Sequence, residues 1–127
     1  MCGRGRVGFS EGPWGRSQSE SSFGGLKADL HHGVLNGLFL PAVLAYNEGH
    51  AEEPYEAIRA VVGSNDLPAF FARLLDEIGL PTRLSDLGVT DDDLQRAAPL
   101  AAADHCTPTN PRALTEADAL ALYRSCL

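Results

Sequence analysis

From Val34 onward the apolar residues recur at three- and four-residue intervals, the spacing of one face of a helix. Val34, Leu35, Leu38 and Phe39, continued by Ala42 and Val43, predict a first helix. Pro41 falls inside that run and predicts a kink, because proline removes a backbone N–H and crowds the turn before it. Tyr55, Ile58, Val61 and Val62 predict a second helix, with Pro54 in its first turn and Gly63 as a left-handed stop. Phe70, Phe71, Leu74, Leu75 and Ile78 predict a third, capped by Asp66 and stopped by Gly79. A short turn follows around Ser85 to Gly88.

Thr90 is placed to cap a fourth helix, with Asp91, Asp92 and Asp93 at the positive end of its dipole. Its inner face is expected to be Leu94, Ala97, Ala98, Ala101 and Ala102, with a kink or weak join at Pro99. Two prolines make 107–112 a loop. Thr115 opens a fifth helix, Glu116 to Cys126, with Leu120, Leu122 and Tyr123 available for burial. No segment alternates apolar and polar residues with β-branched side chains. The expected fold class is all-α, without internal repeats.

Before Leu26 this patterning is absent. Seven of the thirteen glycines lie in the first 25 positions, among serines and arginines, so residues 1–22 read as an irregular leader. The first 26 residues carry a net charge of +1 and the rest −8, for −7 overall with a single lysine. Nucleic-acid phosphates require a Lys/Arg footprint, so nucleic acid is not an expected partner. No run of 18 apolar residues provides a membrane span, and the opening lacks the apolar core of a secretory signal. Three cysteines, Cys2, Cys106 and Cys126, make no disulfide framework and fit a reducing cytoplasm.

Four short motifs invite chemistry. Gly3-Arg4-Gly5-Arg6-Val7-Gly8 matches G-x-G-x-x-G, but only two residues precede it and no helical pattern follows, so it reads as a chance match. Asp104-His105-Cys106 groups three metal-ligand types. If the fourth helix continued through them they would point about 100° apart and could not share an ion. Asp91-Asp92-Asp93 lacks the alternation and turn glycine of a calcium loop and reads as a solvated helix start. His31-His32-Gly33 opens the most hydrophobic helix, where glycine permits close approach of a ligand or backbone; an exposed or satisfied pair is the plainer reading.

The stretch Leu30-His31-His32-Gly33-Val34-Leu35-Asn36-Gly37-Leu38-Phe39-Leu40-Pro41, closed by Tyr46-Asn47, resembles a signature of iron-containing (group III) alcohol dehydrogenases. Later landmarks follow in the same order: Gly79-Leu80-Pro81 before Leu84, Gly88-Val89 before the acidic helix start, and Asn110-Pro111-Arg112 with Thr115. The resemblance covers about residues 23–127. It implies the helical, metal-binding C-terminal domain of that fold. In the family an upstream α/β domain binds NAD(P), and one aspartate and three histidines hold Fe²⁺ or Zn²⁺. His32 stands in the place of the histidine ligand that precedes the glycine. The bound metal polarises the carbonyl of a small alcohol/aldehyde substrate while hydride passes to or from the nicotinamide.

Other family elements have no counterpart here. The nucleotide domain, the aspartate ligand and the first histidine ligand lie upstream of the matched region. Phe23-Gly24-Gly25 fits the end of a histidine-bearing stretch, but Ser17-Gln18-Ser19-Glu20-Ser21 before it holds no histidine. The resemblance therefore implies a C-terminal fragment of an NAD(P)-dependent alcohol/aldehyde oxidoreductase, inactive alone, binding neither metal nor cofactor by itself and lacking its N-terminal nucleotide-binding domain or chain. Self-association into a homo-oligomer fits an incomplete apolar surface. The rival readings are a non-catalytic helical module and one chain of a split enzyme.

Overall fold

The structure is a computed structural model that describes residues 30–127. The expected leader at 1–22, the Gly3–Gly8 motif and the start of the domain at residue 23 lie outside the described residues. Among those described, the chain forms five helices and no strand: α1 (His32–Asn47), α2 (Glu52–Val62), α3 (Leu67–Glu77), α4 (Asp91–Ala102) and α5 (Glu116–Ser125). Short 3-10 turns occupy Leu84–Leu87 and Thr107–Thr109. The all-α expectation is met. No helix of the described residues is long and apolar enough to cross a membrane.

The helix ends follow local chemistry. Gly63 closes α2 at φ 68°, and Gly79 follows α3 at φ 73°, a left-handed conformation that costs glycine nothing. The Asp66 carboxylate accepts the Ala69 N–H at 2.9 Å and caps α3. Thr90 and Thr115 open α4 and α5 with reciprocal capping boxes, closed by Asp93 and Asp118.

Helix α1 is the spine. Its first half supplies Leu35 and Leu38 to a core with Leu84, Val89, Leu94, Ala97 and Cys126. Its second half supplies Leu44 to a smaller cluster with Tyr55 and Leu67. The helix runs through Pro41 rather than ending there, so the proline costs the bond its N–H would have made to the Gly37 carbonyl. At Gly37 a Cβ would lie 3.1 Å from Leu75 Cδ2; the missing side chain lets α3 pack close against α1. The C-terminus is tied down across the fold, since the Leu84 N–H donates to the Cys126 carbonyl (2.7 Å) and Ser85 Oγ to the Leu127 carbonyl (2.7 Å).

Several packing expectations differ from the structure. Val61 is 87% exposed and Ile78 is 61% exposed, although both belong to apolar stripes. On α5 the buried position is Ala119; Leu120, Leu122 and Tyr123 are half-buried, Leu120 and Tyr123 packing against the core as expected. The three aspartates of α4 are not a uniform solvated start. Asp92 is exposed, Asp93 is buried in the capping box with Arg96 at 2.6 Å, and Asp91 is bridged to Arg124 of α5 at 2.7 Å.

Candidate functional site: a cleft between α1, α5 and the loop after α4

An open cleft of about 360 Å³ lies where α1, the loop after α4 and α5 meet. Helix α1 gives it Asn36, Phe39 and Val43; the loop gives Asp104, Cys106, Thr107 and Asn110; α5 gives Leu122 and Tyr123. Its wall is aromatic where Phe39 and Tyr123 meet, ring centres 5.2 Å apart. Polar side chains gather on the loop side.

His32 begins α1 and Asn36 stands four residues on, one helical turn further along the same face. Asn36 Nδ2 lies 2.9 Å from His32 Nε2, so the amide that lines the cleft also holds the imidazole. His31 is exposed and occupies the cap position without capping the helix through its side chain. The two histidines thus have different surroundings, and His32 is the one linked to the cleft.

The loop behind the cleft is clamped to the end of α1. Asn47 and Asn110 exchange two amide hydrogen bonds of 2.8 Å each. The Tyr46 hydroxyl donates to the Ala113 carbonyl at 2.6 Å, and Arg112 donates to the Tyr46 carbonyl at 3.1 Å. The Arg112 guanidinium also stacks 4.1 Å above the Tyr46 ring. Burial, reinforced by Asp118, pushes the Tyr46 hydroxyl above its ordinary value, which keeps it a donor. The two sequence landmarks Tyr46-Asn47 and Asn110-Pro111-Arg112 are therefore in contact.

Matching runs over residues 23–127 with the family described as Fe-containing alcohol dehydrogenase family, C-terminal. The chain belongs to this family. It is 32% identical to 4-hydroxybutyrate dehydrogenase of Cupriavidus necator, in an alignment that takes in 91% of this chain and 33% of that protein. It is 35% identical to lactaldehyde reductase of Escherichia coli K12, over 74% of this chain and 28% of that one. A crystal structure of 1,3-propanediol oxidoreductase superposes with a TM-score of 0.76 at 32% identity, covering 84% of this chain and 30% of its own. The chain spans about a third or less of the length of these Fe-containing alcohol dehydrogenase relatives, and what it matches is their C-terminal helical part.

Family membership raises the question of the metal. Divalent ions are held by several convergent ligands, and one imidazole fills one position. Among the described residues, His32 belongs to no group of three metal-ligating side chains. The described part alone therefore does not fit a complete metal site of this family. The group of three that does form is Asp104, His105 and Cys106. They were expected to diverge on a helix. Instead α4 ends at Ala102 and these residues occupy the turn beyond it, where their ligand atoms lie within 4.8 Å of one another. The cleft residues Asn36, Asp104 and Cys106 were not identified as neighbours from sequence; the one available signal was the four-residue spacing of His32 and Asn36.

Proposed function

We propose that this chain serves in NAD(P)-dependent, metal-assisted alcohol/aldehyde oxidoreduction as the helical C-terminal part, contributing His32 as one ligand of Fe²⁺ or Zn²⁺. The observation that carries the reading is the contact from His32 through Asn36 to the cleft. The cleft volume of about 360 Å³ is at the small end of ligand pockets, in keeping with a short-chain substrate. Phe39, Leu122 and Tyr123 provide an apolar surface for its carbon chain. With the Asn36 amide turned so that its oxygen accepts the Nε2–H, His32 keeps Nδ1 for the metal, the arrangement in which an acceptor on the other ring nitrogen orients a ligating histidine.

The remaining ligands and the nicotinamide site belong, on this proposal, to an N-terminal nucleotide-binding domain or chain of the family's kind. When bound, the metal supplies Lewis acidity at the substrate oxygen. The residues of this chain position the imidazole and shape the cleft. By itself the chain is proposed to be inactive, because it brings one ligand of four and no cofactor fold. The test is an assay of the purified chain with NAD⁺ or NADP⁺, small diols and added Fe²⁺ or Zn²⁺. No turnover is expected; chelator-sensitive turnover would contradict the proposal.

A further inference from the structure

The turn after α4 carries a carboxylate, an imidazole and a thiol on three successive residues, and it is fixed by backbone and side-chain hydrogen bonds of its own. Thr107 N–H donates to the Asp104 carbonyl (3.0 Å), and Thr107 Oγ to the Ala101 carbonyl (2.6 Å). Thr109 donates to the Cys106 carbonyl through both its N–H (2.9 Å) and its hydroxyl (2.6 Å). The Cys106 N–H donates to Asp104 Oδ1 at 2.8 Å, which sets the carboxylate beside the thiol.

We propose that Asp104, His105 and Cys106 form a binding site for a thiophilic divalent cation, Zn²⁺, with water completing the coordination. The donor set of oxygen, nitrogen and sulfur is the one this borderline-soft ion takes. Zinc–ligand distances of about 2.0–2.3 Å place neighbouring donors of a tetrahedron roughly 3.3–3.8 Å apart. His105 Nδ1 and Asp104 Oδ1 already stand 3.6 Å apart, and all three donors lie within 4.8 Å. The His105 side chain is 82% exposed and can turn the remaining distance, whereas the Asp104 side chain is 9% exposed and held in place. On binding, the Cys106 thiol releases its proton to solvent and the sulfur coordinates as thiolate. The end of α4 favours a cation, because helix C-terminal carbonyls carry partial negative charge and no basic residue occupies its last turn. Asp104 and Cys106 also line the cleft, so the ion sits at its rim.

Co²⁺ titration of the full chain tests this, because cobalt–thiolate coordination gives a near-ultraviolet charge-transfer band that histidine and carboxylate ligands alone do not. One equivalent of Co²⁺ is expected to produce the band, and Zn²⁺ to abolish it by displacement. Cys106→Ser should remove it. His105→Ala, at an exposed position that leaves folding intact, should weaken Co²⁺ binding at least about tenfold, since loss of even an outer partner of a ligand costs about 10–100-fold. His32→Ala and Cys2→Ser should retain it. Absence of the band, its survival in Cys106→Ser, its loss in His32→Ala or Cys2→Ser, unchanged affinity in His105→Ala, or failure of Zn²⁺ to displace cobalt would each overturn the proposal.

Discussion

The carboxamides of Asn47 and Asn110, 63 residues apart in sequence, face each other and exchange two hydrogen bonds of 2.8 Å. Asn47 is 5% exposed at the last turn of α1, a position where an unpaired amide is expensive. The pair fixes the loop that forms one wall of the cleft to the helix that forms the other. Replacing Asn47 by Ala leaves Asn110 Oδ1 without its donor, while Asn110 Nδ2 keeps the Arg112 carbonyl, and is expected to cost about 1–3 kcal/mol. Urea unfolding of Asn47→Ala, Asn110→Ala and the double variant checks it; the two losses are expected to be less than additive because they remove one shared interaction.

The bridge between α4 and α5 gives the fold an acid limit. Hydrogen bonds from Arg124 and then Gln95 hold Asp91 down to about 2 from its ordinary 3.8. A carboxylate depressed in the folded state stabilises it fully above the unfolded value, and that contribution is lost as pH falls through the folded one. Asp118, lowered by its hydrogen bonds with Thr115, has the same sign. Stability is therefore expected to fall between about pH 4 and pH 2. In Asp91→Asn, melting temperature measured across this range should depend less on pH than in the native chain.

Core position matters more than apolar character. Leu94 is fully buried among Leu35, Leu38 and Val89, so Leu94→Ala is expected to cost about 2–5 kcal/mol. Val61 is 87% exposed, so Val61→Ser should stay within about 0.5 kcal/mol of the native chain. Denaturant midpoints of the two variants make the comparison.

This contrast also marks what the sequence makes legible. Helix ends were readable because their chemistry is local: Gly63, Gly79, Asp66, Thr90 and Thr115 act within a few residues of themselves. The family landmarks were readable because they are ordered motifs. Burial was less so, since periodicity finds an apolar face without saying which element lies opposite. Val61 and Ile78 share stripes with packed residues yet face outward, while Leu84 is fully buried from a 3-10 turn that has no stripe. The Asp104–Cys106 grouping was hidden by its position two residues past the end of α4, where a turn replaces the 100° step of a helix. The contact of Asn47 with Asn110 depends on a chain reversal that no local pattern contains.

On the proposed function, His32 is the metal-ligating imidazole this chain brings to its family's chemistry. His32 directly precedes Gly33 and is held by Asn36, whereas His31 is exposed ahead of the helix. The most direct measurement is the metal content of a chimera in which residues 23–127 replace the corresponding part of a full-length relative such as lactaldehyde reductase of Escherichia coli K12. His32→Ala is expected to remove most of the bound metal, and His31→Ala to leave it nearly intact. Equal loss in both variants, or loss only in His31→Ala, would contradict the assignment.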